Sequence, residues 1–148
     1  MLTLVPQTDP ILHQNAQAVA IFDDQMRQIA KEMLALTKEH HGVGLAAPQV
    51  GIGQQIIVIS PGRNPLVLIN PQILTQSAET AEGEEGCLSL PDAGRLNIAR
   101  AQKVSVAYQD EFGRPQTIKA KGLTARVLQH EIDHLNGILI TDRAKKDE

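Results

Sequence analysis

The sequence predicts a single α+β domain over residues 1–148, with mainly antiparallel or mixed β-sheets packed around a central helix that carries an H-E-x-x-H motif. Three observations predict it. Two segments, one early and one near the C-terminus, repeat apolar residues at the helical period. Between them, short apolar or alternating runs come in pairs separated by turn residues. No further helical segment is interleaved with those pairs, which sets the pattern apart from repeated βαβ units.

In chain order, residues 22–41 place Phe22, Met26, Ile29, Met33 and Leu36 at spacings of three and four, an amphipathic helix. Asp23 and Asp24 suit its positive end, and Gly42 is the expected C-cap. QIIVIS (55–60) and LVLIN (66–70) read as strands joined by a turn through PGRNP, and Pro71 is expected to end the second. KVSVAY (103–108) and QTIKAK (116–121) alternate on either side of DEFGRP, the pattern of a hairpin. Residues 123–136 form a second helix closed by Gly137. There is no internal repeat, low-complexity tract or linker.

A chain of 148 residues suits one core, and 42% hydrophobic with 21% charged residues is ordinary for a folded globular protein. The net charge of −3, with one Tyr, two Phe and no Trp, argues against nucleic acid as a direct partner: it offers neither attraction to phosphates nor stacking surface. MLTLVPQTDP lacks a basic segment followed by an apolar one, and no stretch approaches the roughly 18 apolar residues of a membrane span. A cytoplasmic, membrane-free protein is expected. Cys87 is the single cysteine, so it cannot form an internal disulfide and should remain a thiol.

The second helix divides into faces at about 100° per residue. Arg126, Gln129, Asp133 and Asn136 form the one predicted wet stripe, with Leu128, Ile132 and Leu135 opposite. Leu123, Val127, His130 and His134 share a third sector, with Glu131 at its edge. Histidines four apart on a helix project side by side and can hold one metal ion, and the Glu after the first stands beside the metal rather than on it. An open catalytic site of this kind needs a third protein ligand. A histidine three residues past Gly137 would supply one, but that position is Ile140. A downstream glutamate would need a further helix, which the tail TDRAKKDE is too short to supply. The third ligand is therefore expected upstream, among His13, His40, His41, a carboxylate and Cys87. His40 and His41 end the first helix, where a cation is favoured for capping, and His13 sits in an expected surface segment. Cys87, in GEEGCLSLP, is favoured, because a thiolate is a strong ligand for zinc or iron.

GVGLAAPQVGIG (42–53) carries four glycines but neither G-x-G-x-x-G nor a Lys-Ser/Thr pair, so nucleotide binding is weakly supported. Gly42, Gly44, Ala46 and Ala47 instead allow close approach of another segment or a ligand. Gln49 supplies an amide that can donate to an oxyanion.

Together, GVGLAAPQ (42–49), EGCLS (85–89) and QHEIDH (129–134) resemble the three motifs of the peptide deformylases, in the order and spacing of that family. The likeness extends through NPQI (70–73) and the hairpin, and covers most of the chain. It implies a hydrolase that removes the formyl group from the N-terminal formylmethionine of nascent polypeptides and releases formate. It implies that Cys87, His130 and His134 bind one divalent metal, Fe²⁺ as the usual ion with Zn²⁺, Ni²⁺ or Co²⁺ able to replace it. Glu131 is then the acid/base, the Gln49 side chain and the Leu88 backbone N–H form the oxyanion hole, and Val43 and Gly44 lie by the pocket for the methionine side chain. N-formylmethionyl peptides are the implied partners, met near the ribosome by a monomer. Only ILITDRAKKDE follows Gly137, where bacterial relatives have a longer C-terminal helix, and no substrate-binding role is carried onto Arg95. The rival readings are a zinc peptidase, which lacks its downstream ligand here, and a metal-stabilised binding module, which would have no use for Glu131.

Overall fold

The computed structural model describes residues 1–62 and 64–146. Its helices are α1 (Asp24–Glu39), α2 (Gly122–Leu135) and α3 (Ile140–Lys146). Its strands are β1 (Gly44–Ala46), β2 (Ile56–Ile59), β3 (Leu66–Gln76), β4 (Thr80–Glu85), β5 (Leu96–Ala101), β6 (Lys103–Gln109) and β7 (Pro115–Lys121). Among the described residues, no helix is long and apolar enough to cross a membrane.

The packing follows from β2. All four of its side chains are buried, and a strand alternates its side chains across the sheet, so such a run needs cover on both faces. Ile57 and Ile59 pack with Val127, Leu128 and Ile132 of α2, while Ile56 and Val58 pack with Met26, Met33 and Leu36 of α1. The sheet between the two helices has the order β1-β2-β3-β6-β7, with every neighbouring pair antiparallel. β4 and β5 form a separate antiparallel pair. A third cluster, with Leu12, Leu90, Ile98, Leu139 and Ile140, seats α3 beside β5. The predicted α+β arrangement around a helix carrying the H-E-x-x-H motif is thus observed.

Four local expectations are corrected. The left-handed residue after α1 is His41 (φ 55°), not Gly42. His41 N–H donates to the Lys38 carbonyl (3.1 Å) and Gly42 N–H to the Thr37 carbonyl (2.9 Å), the paired bonds that close a helix around a residue of this conformation. β3 continues past Pro71 because the register shifts between Ile69 and Gln72, with Asn70 at φ 52°, which absorbs the missing N–H of proline. The Asn70 side chain accepts from Val19 N (2.8 Å) and donates to Val19 O (3.0 Å), tying the N-terminal segment to the bulge. The tail after Gly137 does form a short helix, α3, although Glu148 lies outside the described residues, as does Arg63 of the expected turn. Lastly, the stripe predicted to be wet on α2 is covered at its middle: Gln129 and Asp133 are 7% and 8% exposed and Arg126 is half-buried, while Asn136 at its end is exposed as expected. Gln129 accepts from Ala101 N (3.1 Å) and donates to Ala101 O (2.9 Å), completing the end of β5 as another strand would. Asp133 meets two arginines, described below.

Candidate metal centre and active site

α2 presents His130 and His134 one turn apart, with ring centroids 5.2 Å from each other. Cys87 reaches them from the segment after β4. There the chain turns with Leu90 N donating to Cys87 O (3.0 Å), which puts Leu88 in the middle of the turn. One ligand atom from each of Cys87, His130 and His134 lies within 4.8 Å of the others. Cys87 Sγ is 3.4 Å from His134 Nε2. The upstream residue favoured by the sequence is therefore the one the fold brings to the histidine pair. His13 and His40 are exposed elsewhere, and His41 stands at the rim of the cleft.

Glu131 is 3% exposed and its Oε1 has no hydrogen-bond partner among the described residues. Gly44 explains how it fits. A Cβ at Gly44 would stand 2.7 Å from Glu131 Oε2 and 2.9 Å from Val127 Cγ1, so only glycine lets β1 lie this close to α2. Gln49, in a 3₁₀ turn after β1 and 2% exposed, is held at both ends of its amide. Its Oε1 accepts from Ala46 N (2.9 Å) and its Nε2 donates to Ser89 Oγ (3.0 Å), 3.7 Å from Cys87 Sγ. These groups open onto a cleft of about 420 Å³ lined also by Val43, Leu88 and Leu123. Val43 and Leu123, 43% and 55% exposed, put apolar surface at its mouth.

Sequence reasoning did not assign the residues behind the histidines. Glu85, the last residue of β4, lies with Oε1 2.8 Å from His130 Nδ1. It also accepts two bonds from Arg100 (2.9 and 3.0 Å) and one from Arg126. Arg100 continues to Asp133 (2.6 Å), which takes a two-pronged contact from Arg143 of α3 (2.7 and 2.9 Å). The only hint in the letters is the carboxylate two residues before Cys87. Gly83 completes the picture, since a Cβ there would meet the Arg126 guanidinium at 3.0 Å.

The electrostatics suit a cation between the donors. Burial alone would lower His130, but Glu131, Cys87 and Glu85 push it up to about 10. Burial raises Glu131 to about 7 despite the neighbouring His130 and Arg100. Burial, then the charges of His130 and Arg100, hold His134 well below the usual histidine value, as the neutral imidazole a metal requires. One sulfur and two imidazoles, ringed by carboxylates and with a buried carboxylate oxygen unpaired, fit a divalent zinc- or iron-type ion.

Comparison with known proteins agrees with this geometry. Residues 1–148 match the family model described as polypeptide deformylase. The peptide deformylase of Picosynechococcus sp. is 46% identical over 144 residues, 94% of this chain and 76% of that protein. That of Thermosynechococcus vestitus is 49% identical over 142 residues, 93% and 75% of the two chains. Among solved structures, the Thermotoga maritima peptide deformylase superposes with a TM-score of 0.94 at 42% identity, covering 97% of both chains. The Synechococcus elongatus enzyme, solved in complex with actinonin, gives 0.93 at 48% identity over 97% of this chain and 78% of its own. With its sulfur and two imidazoles gathered beside a buried glutamate, this chain belongs to the polypeptide deformylase family, the metal-dependent hydrolases that remove N-formyl groups.

Proposed function

We propose that this chain deformylates N-formylmethionyl peptides at the cleft between β1, the Cys87 turn and α2, with Cys87, His130 and His134 holding one Fe²⁺ that Zn²⁺, Ni²⁺ or Co²⁺ can replace. The observation that carries the reading is the cluster of three donors within 4.8 Å beside Glu131 and its unpaired Oε1. A metal held by Cys87, His130 and His134 would supply Lewis acidity at this site, the chemistry that brings water from a pKa of 15.7 to about 7. Glu131 accepts the proton of the attacking water and returns one to the leaving amine. Burial raises its pKa from the ordinary carboxylate range, and a cation at the donors would draw Glu131 back toward the carboxylate form that begins the reaction. The Gln49 amide and the Leu88 N–H donate to the formyl oxygen as it gains charge, each donor contributing on the order of 10²-fold or more. Val43 and Gly44 border the methionine side chain, and Val43 offers the exposed apolar surface such a side chain needs. Nascent chains as substrate would bring this protein near the ribosome, acting as a monomer in the cytoplasm.

Formate release from a formyl-Met peptide, measured anaerobically with Fe²⁺, tests the reading. The parent should turn over, whereas Glu131→Ala should keep its metal and lose turnover. A parent that is inert on this substrate but cleaves internal peptide bonds would overturn the deformylase reading. A Cys87→Ser variant with full metal content and activity would remove Cys87 from the ligand set.

A further inference from the structure

Five side chains join the C-terminal helix to the metal centre in alternating charge. Arg143 of α3 donates from Nη2 to Asp133 Oδ1 (2.7 Å) and from Nε to Asp133 Oδ2 (2.9 Å). Asp133 Oδ2 also accepts from Arg100 Nη1 (2.6 Å), and Arg100 places its other two donors on the two oxygens of Glu85. Glu85 Oε1 ends the chain on His130 Nδ1 at 2.8 Å. The inner members are almost wholly enclosed, with side chains of Arg100 and Glu85 at 4% and 5% exposure, while Arg143 is 35% exposed at the outer end.

We infer that Arg143 is a positioning residue for the metal centre, acting through Asp133, Arg100 and Glu85 on the orientation of His130. The inference rests on the metal-dependent reading above. The physical ground is the sharing of Arg100 between two buried carboxylates. With Arg143 in place, Asp133 has a second cation, and the Arg100 fork can lie in the plane of Glu85 with two parallel bonds, the strong geometry for this pair. Without Arg143, Asp133 is a buried anion with one partner fewer, and it competes with Glu85 for the same guanidinium. Any tilt of Arg100 breaks the two in-plane bonds to Glu85 and leaves only the single bond from Arg126 to Oε2, so the carboxylate that sets the ring angle of His130 is free to turn. Groups behind a metal-ligating histidine typically change metal affinity by about 10–100-fold when removed. Arg143 lies three links further out, so an effect near the lower end is expected.

The test uses the full-length chain and Zn²⁺ as the probe, in competition with a chromophoric chelator, together with the absorption spectrum of the Co²⁺-loaded protein. Arg143→Ala should bind Zn²⁺ about tenfold more weakly and shift the Co²⁺ bands, and Arg143→Lys should recover part of the loss. Arg114→Ala, which removes an exposed arginine paired with Asp110 in the turn between β6 and β7, should leave both readouts unchanged. In an Asp133→Asn background, Arg143→Ala should add less than a twofold change. If Arg143→Ala lowers the melting temperature but keeps the parent's Zn²⁺ affinity and Co²⁺ spectrum, Arg143 merely clamps α3 and the inference falls. Should the alanine variant fail to fold, Arg143→Lys and Arg143→Met decide the same question. A parent that binds Zn²⁺ but releases no formate would sink the proposed activity while the affinity comparison still stands. A parent that binds no Zn²⁺ overturns both.

Discussion

His130 Nδ1 lies 2.8 Å from Glu85 Oε1, and Glu85 is held in turn by Arg100 and Arg126. When a metal takes the place of the proton on Nε2, Nδ1–H still donates to that carboxylate, so the neutral tautomer that ligates through Nε2 is set from behind. Glu85→Gln keeps the shape and removes the charge. It should weaken Zn²⁺ binding by about 10–100-fold, read by chelator competition. Parent affinity in this variant would mean that the contact only packs β4 against α2.

The same carboxylate should be visible in acid unfolding. Burial by itself would raise Glu85, but the hydrogen bonds from His130 and Arg100 outweigh it and hold it well below the ordinary 4.5. The folded state therefore binds this proton less tightly than the unfolded state, and the contribution to stability is fully present above about pH 4.5 and lost as the pH falls through the folded value. Urea unfolding of the metal-free parent and of Glu85→Gln, compared from about pH 5.5 to about pH 3, should show a gap that is constant at first and narrows below about 4.5. A gap that widens on acidification would contradict the depressed value.

Gly44→Ala tests the close approach of β1 to α2. The added Cβ would stand 2.7 Å from Glu131 Oε2 and 2.9 Å from Val127 Cγ1, so one of the two must move. Overpacking of this kind costs about 1–3 kcal/mol. Because the displaced atom belongs to the proposed acid/base, kcat should fall by more than the loss of stability explains, with metal content unchanged. Measuring Tm, metal content and kcat on one preparation separates these effects; a full kcat would show that Glu131 can shift without consequence.

The sequence made the centre of this molecule legible because periodicity and motif coincide there. The apolar stripes of α1 and α2, the β6–β7 hairpin and the His130–His134 pair follow from spacing readable over a few residues, and Cys87 from the third ligand that this pair lacks. What was not legible depends on partners distant in sequence. TAEGEE has no alternation to announce β4, and Asp133 and Gln129 look wet on a wheel because their cover comes from Arg100, Arg143 and the Ala101 backbone. Glu85 is the sharpest case. Apart from its place two residues before Cys87, little distinguishes it from Glu84, yet Glu85 is 6% exposed behind a histidine and Glu84 pairs with Arg95 near the surface. The strand's alternation alone sends one inward and the other out.

Gln49 offers the most direct test of the proposed oxyanion donor. An N–H must face an oxygen, so the bond from Ala46 N to Gln49 Oε1 (2.9 Å) orients the amide and sends Nε2 toward Ser89 and Cys87. Gln49→Glu keeps the acceptor for Ala46 but replaces the donor with an anion facing the cluster. Its kcat should fall by roughly 10²–10³ with little change in KM, since the missing interaction is made chiefly in the transition state. Ser89→Ala removes one constraint on the same amide without touching substrate, so its loss should be smaller, within about tenfold, and should not add fully to that of Gln49→Glu. If Gln49→Glu raises KM and spares kcat, the amide binds the ground state instead, and the formyl oxygen must be stabilised elsewhere.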